Sequence, residues 1–244
     1  MIGTRAPALR GRVLAVVFAL AMTAAAVAAD EDRGELRGLR LGMQAATMSA
    51  DGFDDFACGS NGGPPRAPLS GWADFHECRP EASGLHEVYV RFDEQQAYQA
   101  KAFGDPTLPS EANGTRVAGH PVILSVLFND AGIAQEIRIV TDPRAPLSLR
   151  RMAQLLRLRV IAHYGEEGWT CIELPAEPGE TPVGKIFIKQ RCEKTTPEHH
   201  LVMQARLLRK PGQTDYDPAT KEFRPGQFES STRLEIMDPS LKPD

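Results

Sequence analysis

Four cysteines constrain this chain more than any other feature: Cys58 and Cys78 stand 20 residues apart, Cys171 and Cys192 stand 21 apart. Their meaning depends on compartment, and the N-terminus addresses that. MIGTRAPALRGR carries Arg5, Arg10 and Arg12, the apolar run VLAVVFALAMTAAAVAA ends at Ala29, and the acidic DEDRGE follows. A basic start, an apolar stretch and small residues before a cut form the layout of a secretory signal peptide, with cleavage expected near Ala28 or Ala29. The run is half alanine and shorter than the ~20 strongly apolar residues of a membrane span. In an exported chain an even cysteine set reads as disulfides, with three connectivities open. The near-equal spacings make pairing in chain order the simplest choice, and each closed loop then contributes on the order of 3 kcal/mol. No cysteine borders the cleavage site, so lipid attachment there is not available. The expected location is the periplasm or the medium, with no membrane span after cleavage.

Removing residues 1–29 takes away three arginines and no acids, leaving 25 basic against 32 acidic residues and a charge of −7. That balance argues against nucleic-acid binding, which needs a basic footprint. The 42% hydrophobic content supports a packed core. Along the chain, GLRLGM (38–43) is short and apolar, and a marginal helix interrupted by Gly52 follows it. LHEVYVRF (85–92) alternates as a strand. Residues 93–117 read as a turn-rich loop. HPVILSVLFNDAGIAQEIRIVTD (120–142) reads as a hairpin turning at Asn129–Gly132. Ser148 can cap a helix that runs to Gly165, with Leu149, Met152, Leu155, Leu156, Val160, Ile161 and Tyr164 on one stripe and Arg150, Arg151, Gln154 and Arg157 outside it. Strands are expected at 169–174, 185–192, 201–209 and 231–237. Opposing Cys171 to Cys192 would put Trp169, Cys171, Ile186, Ile188 and Cys192 on one face. Residues 210–229, rich in Pro and Gly, read as turn punctuation.

The two halves share an order: a short apolar or helical opening, a glycine, a cysteine with a tryptophan nearby, then strands. GLRLGM, Cys58, Trp72 and Cys78 lead the first; the 148–164 helix, Trp169, Cys171 and Cys192 lead the second. GLRLGM and one cysteine pair per half resemble the exported tandem αβ modules of the β-lactamase-inhibitor-protein type and the SmpA/OmlA outer-membrane assembly lipoproteins. The chain is also similar in layout to exported proteins of Gram-negative bacteria. The likeness covers most of 36–237 and departs in the long 58–78 loop, the basic helix and the missing lipid cysteine. It implies protein binding through a sheet face without catalysis, and it transfers no site residue.

The stretch CGSNGG (58–63) lacks the Lys-Ser/Thr of a phosphate loop, and Pro64 and Pro65 remove donors from it. A Cys78 nucleophile beside His76 gives way to a disulfide. His199 and His200 point to opposite faces of a strand and are followed by no third zinc ligand. Asp51, Asp54 and Asp55 lack the alternation of a calcium loop. His120 and His163 read as structural. The remaining constellation is an arginine face, Arg150, Arg151 and Arg157 with Arg144 and Arg159, suited to an acidic partner or ligand.

These observations predict an α+β protein, antiparallel sheet covered by helix, in two similar αβ subdomains at 30–142 and 147–237 with a tail at 238–244. The functional expectation is an exported, non-enzymatic binding or envelope-scaffold protein. Its partner would be another envelope protein or an acidic ligand, and neither metal nor cofactor is implied. The alternatives are a periplasmic hydrolase with a dispersed site and a metal- or small-ligand-binding protein.

Overall fold

The computed structural model describes residues 36, 38–92, 115–217, 219–224 and 226–241. The expected signal segment and most of the expected 93–117 loop lie outside the described residues. No helix among the described residues is long and apolar enough to cross a membrane.

One antiparallel sheet organises the compact unit Leu36–Asp244. Its strands are β1 (Phe53–Cys58), β2 (His86–Phe92), β3 (Arg116–Val117), β4 (His120–Phe128), β5 (Ala134–Thr141), β6 (Thr170–Glu173), β7 (Ile188–Thr195), β8 (His200–Leu208) and β9 (Glu229–Met237). The order is β1-β2-β4-β5-β9-β8-β7-β6, with β3 paired to β4. Each half is a four-strand meander whose last strand, β5 or β9, meets the other half's last strand. The register at that seam runs from Glu136↔Met237 to Val140↔Arg233. The two expected subdomains therefore share a single sheet.

The fold-class expectation is corrected by this arrangement. Among the described residues helix is limited to α1 (Leu147–Arg151), α2 (Leu156–Tyr164) and short 3₁₀ turns, so the molecule is a mainly antiparallel β structure and not a helix-covered α+β fold. In the first half, residues 44–56 do not form a helix. They give a 3₁₀ turn at Ala45–Thr47 and then β1, in which Phe56 and Cys58 face the core. Two acids in FDDF hid this strand: Asp54 and Asp55 sit beside a bulge and pair with Arg91 of β2.

The hairpin forms as its residues require. Asn129 Oδ1 accepts from the backbone amides of Ala131 and Ile133, and Gly132 takes φ +76°. Alternation then sends Leu124, Val126, Phe128, Ile137 and Ile139 to one face, where they meet Leu201, Met203, Leu234 and Ile236. Trp72, Leu156 and Val160 cover that face and are themselves buried.

The 147–164 helix departs from its expected stripe. Thr232 Oγ1 donates to the Ala153 carbonyl at 2.9 Å and the Gln154 amide donates to Ser230 Oγ at 3.2 Å, so β9 draws Ala153–Leu155 into a 3₁₀ turn. The tighter turn shifts the phase of the apolar pattern. Leu156 and Val160 remain buried and Ile161 and Tyr164 pack partly, but Met152 and Leu155 face outward and Gln154 turns in. The helix starts after Pro146, not on a Ser148 cap. At its far end Trp169 Nε1 donates to the Gly165 carbonyl, and Lys194 Nζ donates to those of Tyr164 and Gly165, satisfying the last turn.

The disulfides are Cys58–Cys78 and Cys171–Cys192. The first ties edge strand β1 to the 3₁₀ turn Trp72–Glu77, seating Trp72 edge-on against Phe53 and Phe56 with its Nε1 donating to the Ser49 carbonyl. The second joins directly opposed residues of β6 and β7. Cys192 is buried there, while Ile186 falls in the preceding turn and is exposed, not on the expected shared face. Both staples thus lie at the sheet's outer edges. Cys58→Ser is expected to lower stability by about 3 kcal/mol and to let thiol reagents reach Cys78 while Cys171 and Cys192 stay protected. Mass spectrometry after alkylation checks this, and modification of all three remaining cysteines would contradict independent staples.

Candidate functional site

Along β5 and β9 the apolar residues alternate with charges, EIRIV and TRLEI, so the face opposite the core carries Glu136, Arg138, Arg233 and Glu235. The antiparallel register sets Arg138 opposite Glu235. Over this floor lies a cleft of ≈ 820 Å³, lined also by Asn61, Gly62, Glu81, Pro143, Arg150 and Phe228. Its floor follows β9 from Glu229 to Met237, a run of ~27 Å at strand rise.

Arg138 is 4% exposed and holds the acidic end of the cleft together. Its Nε donates to Glu136 Oε1 at 2.9 Å, and Nη1 and Nη2 donate to the two Glu81 oxygens at 2.8 and 3.0 Å. Glu87 Oε2 lies 3.4 Å away and Glu235 Oε1 3.8 Å. Arg233 Nε donates to Glu235 Oε1 at 2.7 Å, while its Nη1 and Nη2 reach the carbonyl and Oδ1 of Asn61. Four carboxylates thus surround two guanidiniums. The imbalance is felt at Glu136, which burial pushes up to about 7; Arg138 opposes that shift and Glu235 reinforces it. Burial also raises Glu81, but the paired bonds from Arg138 outweigh it and hold that carboxyl below its ordinary value.

The CGSNGG loop lines the cleft through Asn61 and Gly62. Asn61 sits at φ +58°, its amide donating to Glu87 Oε2. A Cβ on Gly59 would fall 2.3 Å from Glu87 Cδ, and one on Gly62 2.5 Å from Val140 Cγ2, so the glycines let the loop lie flat on the charged floor. It is a covering strap held by the first disulfide, not a phosphate cradle.

The other end of the cleft is basic. Arg206 and Lys210 share Glu229, at 3.2 and 2.7 Å. Arg150 lies 5.9 Å over the Phe228 ring and has no carboxylate partner among the described residues. Of the sequence-derived arginine face, Arg150 alone lines this cleft. Arg151 and Arg159 are exposed on the helix, and Arg157 is half-buried with its Nε lacking a partner. Arg144 pairs with Asp142 in a second cleft of ≈ 840 Å³ beside Tyr89 and Arg91. His200 Nδ1 contacts Thr195 Oγ1, and no cluster of three potential metal ligands occurs among the described residues.

Sequence reasoning passed over Glu81, Glu87, Glu136, Arg138, Arg233 and Glu235. The available signal was the opposite charges two residues apart in two otherwise apolar strands, a pattern that places both on one face. Glu136 is 5% exposed and its Oε1 accepts from Arg138 Nε, so the carboxyl is turned toward the guanidinium. What the cleft can do is bind: it offers fixed charges of both signs, an aromatic ring and apolar Met237 and Leu85 along one trough. No protein-family model matches the chain, and neither a curated protein nor a solved structure matches it.

Glu136 imposes a pH dependence. Its folded pKa, about 7, exceeds the ordinary 4.5, so between those values the folded state binds more protons. This group therefore costs nothing below pH 4.5, costs increasing stability as pH rises through that window, and reaches a plateau of roughly 3 kcal/mol above it. Glu136→Gln, which preserves the acceptor for Arg138, is expected to leave thermal unfolding unchanged at pH 4 and to raise the midpoint at pH 8. A lowered midpoint at pH 8 would contradict the assignment.

Proposed function

We propose that this is an exported, non-catalytic binding protein that holds an extended segment of an envelope partner in the cleft over β5 and β9. The observation that carries the reading is the polarity of the cleft. Glu81, Glu136 and Glu235 gather at one end, and Arg150, Arg206 and Lys210 at the other, along one strand's length. An extended chain with basic groups toward the first end and acidic groups toward the second matches that field, which fixes the direction of binding as well as favouring it. The charges are already oriented by Arg138, Arg233 and Glu229, so little ordering is needed on binding. Export is supported by the signal-type N-terminus and by two disulfides at the sheet edges.

Ser231 stands on the floor toward its Glu229 end, and Ser231→Trp should fill that part of the trough while leaving the core face untouched. Immobilised wild-type protein is expected to retain a protein from periplasmic extract that the Ser231→Trp form loses and that an Arg79→Ala surface control keeps. Identical recovery by all three forms, or recovery of only a metabolite or ion, would contradict the reading.

A further inference from the structure

Between Met152 and Leu158 the usual polarity of a surface helix is inverted. Met152, Leu155 and Leu158 are 46%, 37% and 48% exposed, while Gln154 between them is buried and its Oε1 has no hydrogen-bond partner. Three-residue spacing across the 3₁₀ turn and the start of α2 sets the three side chains side by side, a ridge about 10 Å long. Exposing three large aliphatic groups while burying an unsatisfied amide oxygen costs stability twice. Nothing within the described chain covers the ridge, and a locally unfavourable pattern of this kind marks a surface with a task.

The charges around it say what it meets. Between Asp142 and Glu166 the chain has five arginines and no aspartate or glutamate, in a protein whose acids outnumber its bases 32 to 28. Arg151 and Arg159 are exposed beside the ridge, and neither has a carboxylate partner among the described residues. Of the two bounding acids, Asp142 is held by Arg144, and Glu166 lies beyond the Gly165 stop.

We infer that this ridge docks on an anionic phospholipid bilayer surface, Met152, Leu155 and Leu158 entering the headgroup–acyl boundary while Arg151 and Arg159 meet lipid phosphates. A second copy is disfavoured, because a two-fold contact through this face would set arginines against arginines. A specific protein partner needs ~800 Å² from each side with matched shape, far more than three adjacent side chains supply. A bilayer surface needs no shape match; it needs apolar side chains at shallow depth and cations beside anionic headgroups. The arrangement is also oriented: on a molecule of net negative charge, this patch joins exposed apolar side chains to cations with no acid between Asp142 and Glu166.

The test is flotation of the exported protein with vesicles of phosphatidylcholine alone or with phosphatidylglycerol added, using the wild type, the Leu155→Ser/Leu158→Ser pair and the Arg151→Glu/Arg159→Glu pair. Wild-type protein should float with the anionic vesicles, less so as salt rises, and each pair should reduce partitioning roughly tenfold or more. Because all four side chains are exposed, both variants should keep the wild-type unfolding midpoint. If either variant unfolds, the wild type still decides: flotation indifferent to phosphatidylglycerol and to salt overturns the proposal. Wild-type binding retained by both variants overturns it as well, as does a Leu155→Ser/Leu158→Ser form that ignores vesicles like the wild type but loses a captured protein.

Discussion

Five antiparallel residue pairs between β5 and β9 carry the continuity of this molecule. Each meander alone would present a bare edge at its last strand, with unpaired amides and carbonyls open to water or to another chain. Joined, they give a sheet whose core face is continuous from Val88 to Met203 and whose opposite face brings Arg138 of one half against Glu235 of the other. The cleft exists because of the same junction, since its floor is the seam itself.

The charged floor contributes definition more than raw stability. Removing Arg138, Glu81, Glu136 and Glu235 from water is costly, and an apolar replacement of the whole set would cost no more. Breaking it is another matter. Any one-residue slip along the seam would drive Ile137 and Ile139 toward the cleft and the charges into the core, so the ion pairs and the alternating pattern enforce a single register together. The strap at Asn61 depends on them too, because its two contacts are Arg233 and Glu87.

Much of this was legible in the amino-acid order, and the failures have physical causes. The 120–142 hairpin and the strands of the second half show in their alternation and turn residues, and the spacing of the cysteines suggested their partners. β1 was hidden because Asp54 and Asp55 interrupt its apolar pattern, and their pairing with Arg91 is a tertiary event. The phase of the 147–164 helix was misread because hydroxyls of Ser230 and Thr232, some eighty residues away, retune one of its turns. Helix was expected to cover both halves; among the described residues the cover comes from a 3₁₀ turn at Trp72–Glu77 in the first and from short helical pieces in the second. Arg150, Arg151 and Arg157 looked like one face, yet Arg150 lines the cleft while Arg151 is exposed and Arg157, beyond the 3₁₀ turn, is half-buried. The cleft was invisible for the simplest reason: Glu81 and Arg138 lie 57 residues apart, and Arg233 reaches them only once the two meanders join.

Native-state amide hydrogen exchange followed through increasing denaturant tests the junction most directly. If β5 and β9 hold one cooperative sheet, the amides of β2, β4, β5, β9, β8 and β7 converge on a common opening free energy, with the seam amides among the last to exchange. Exchange of β7 and β8 through a separate, lower-energy opening that leaves β2, β4 and β5 protected would show two independent halves and contradict the account.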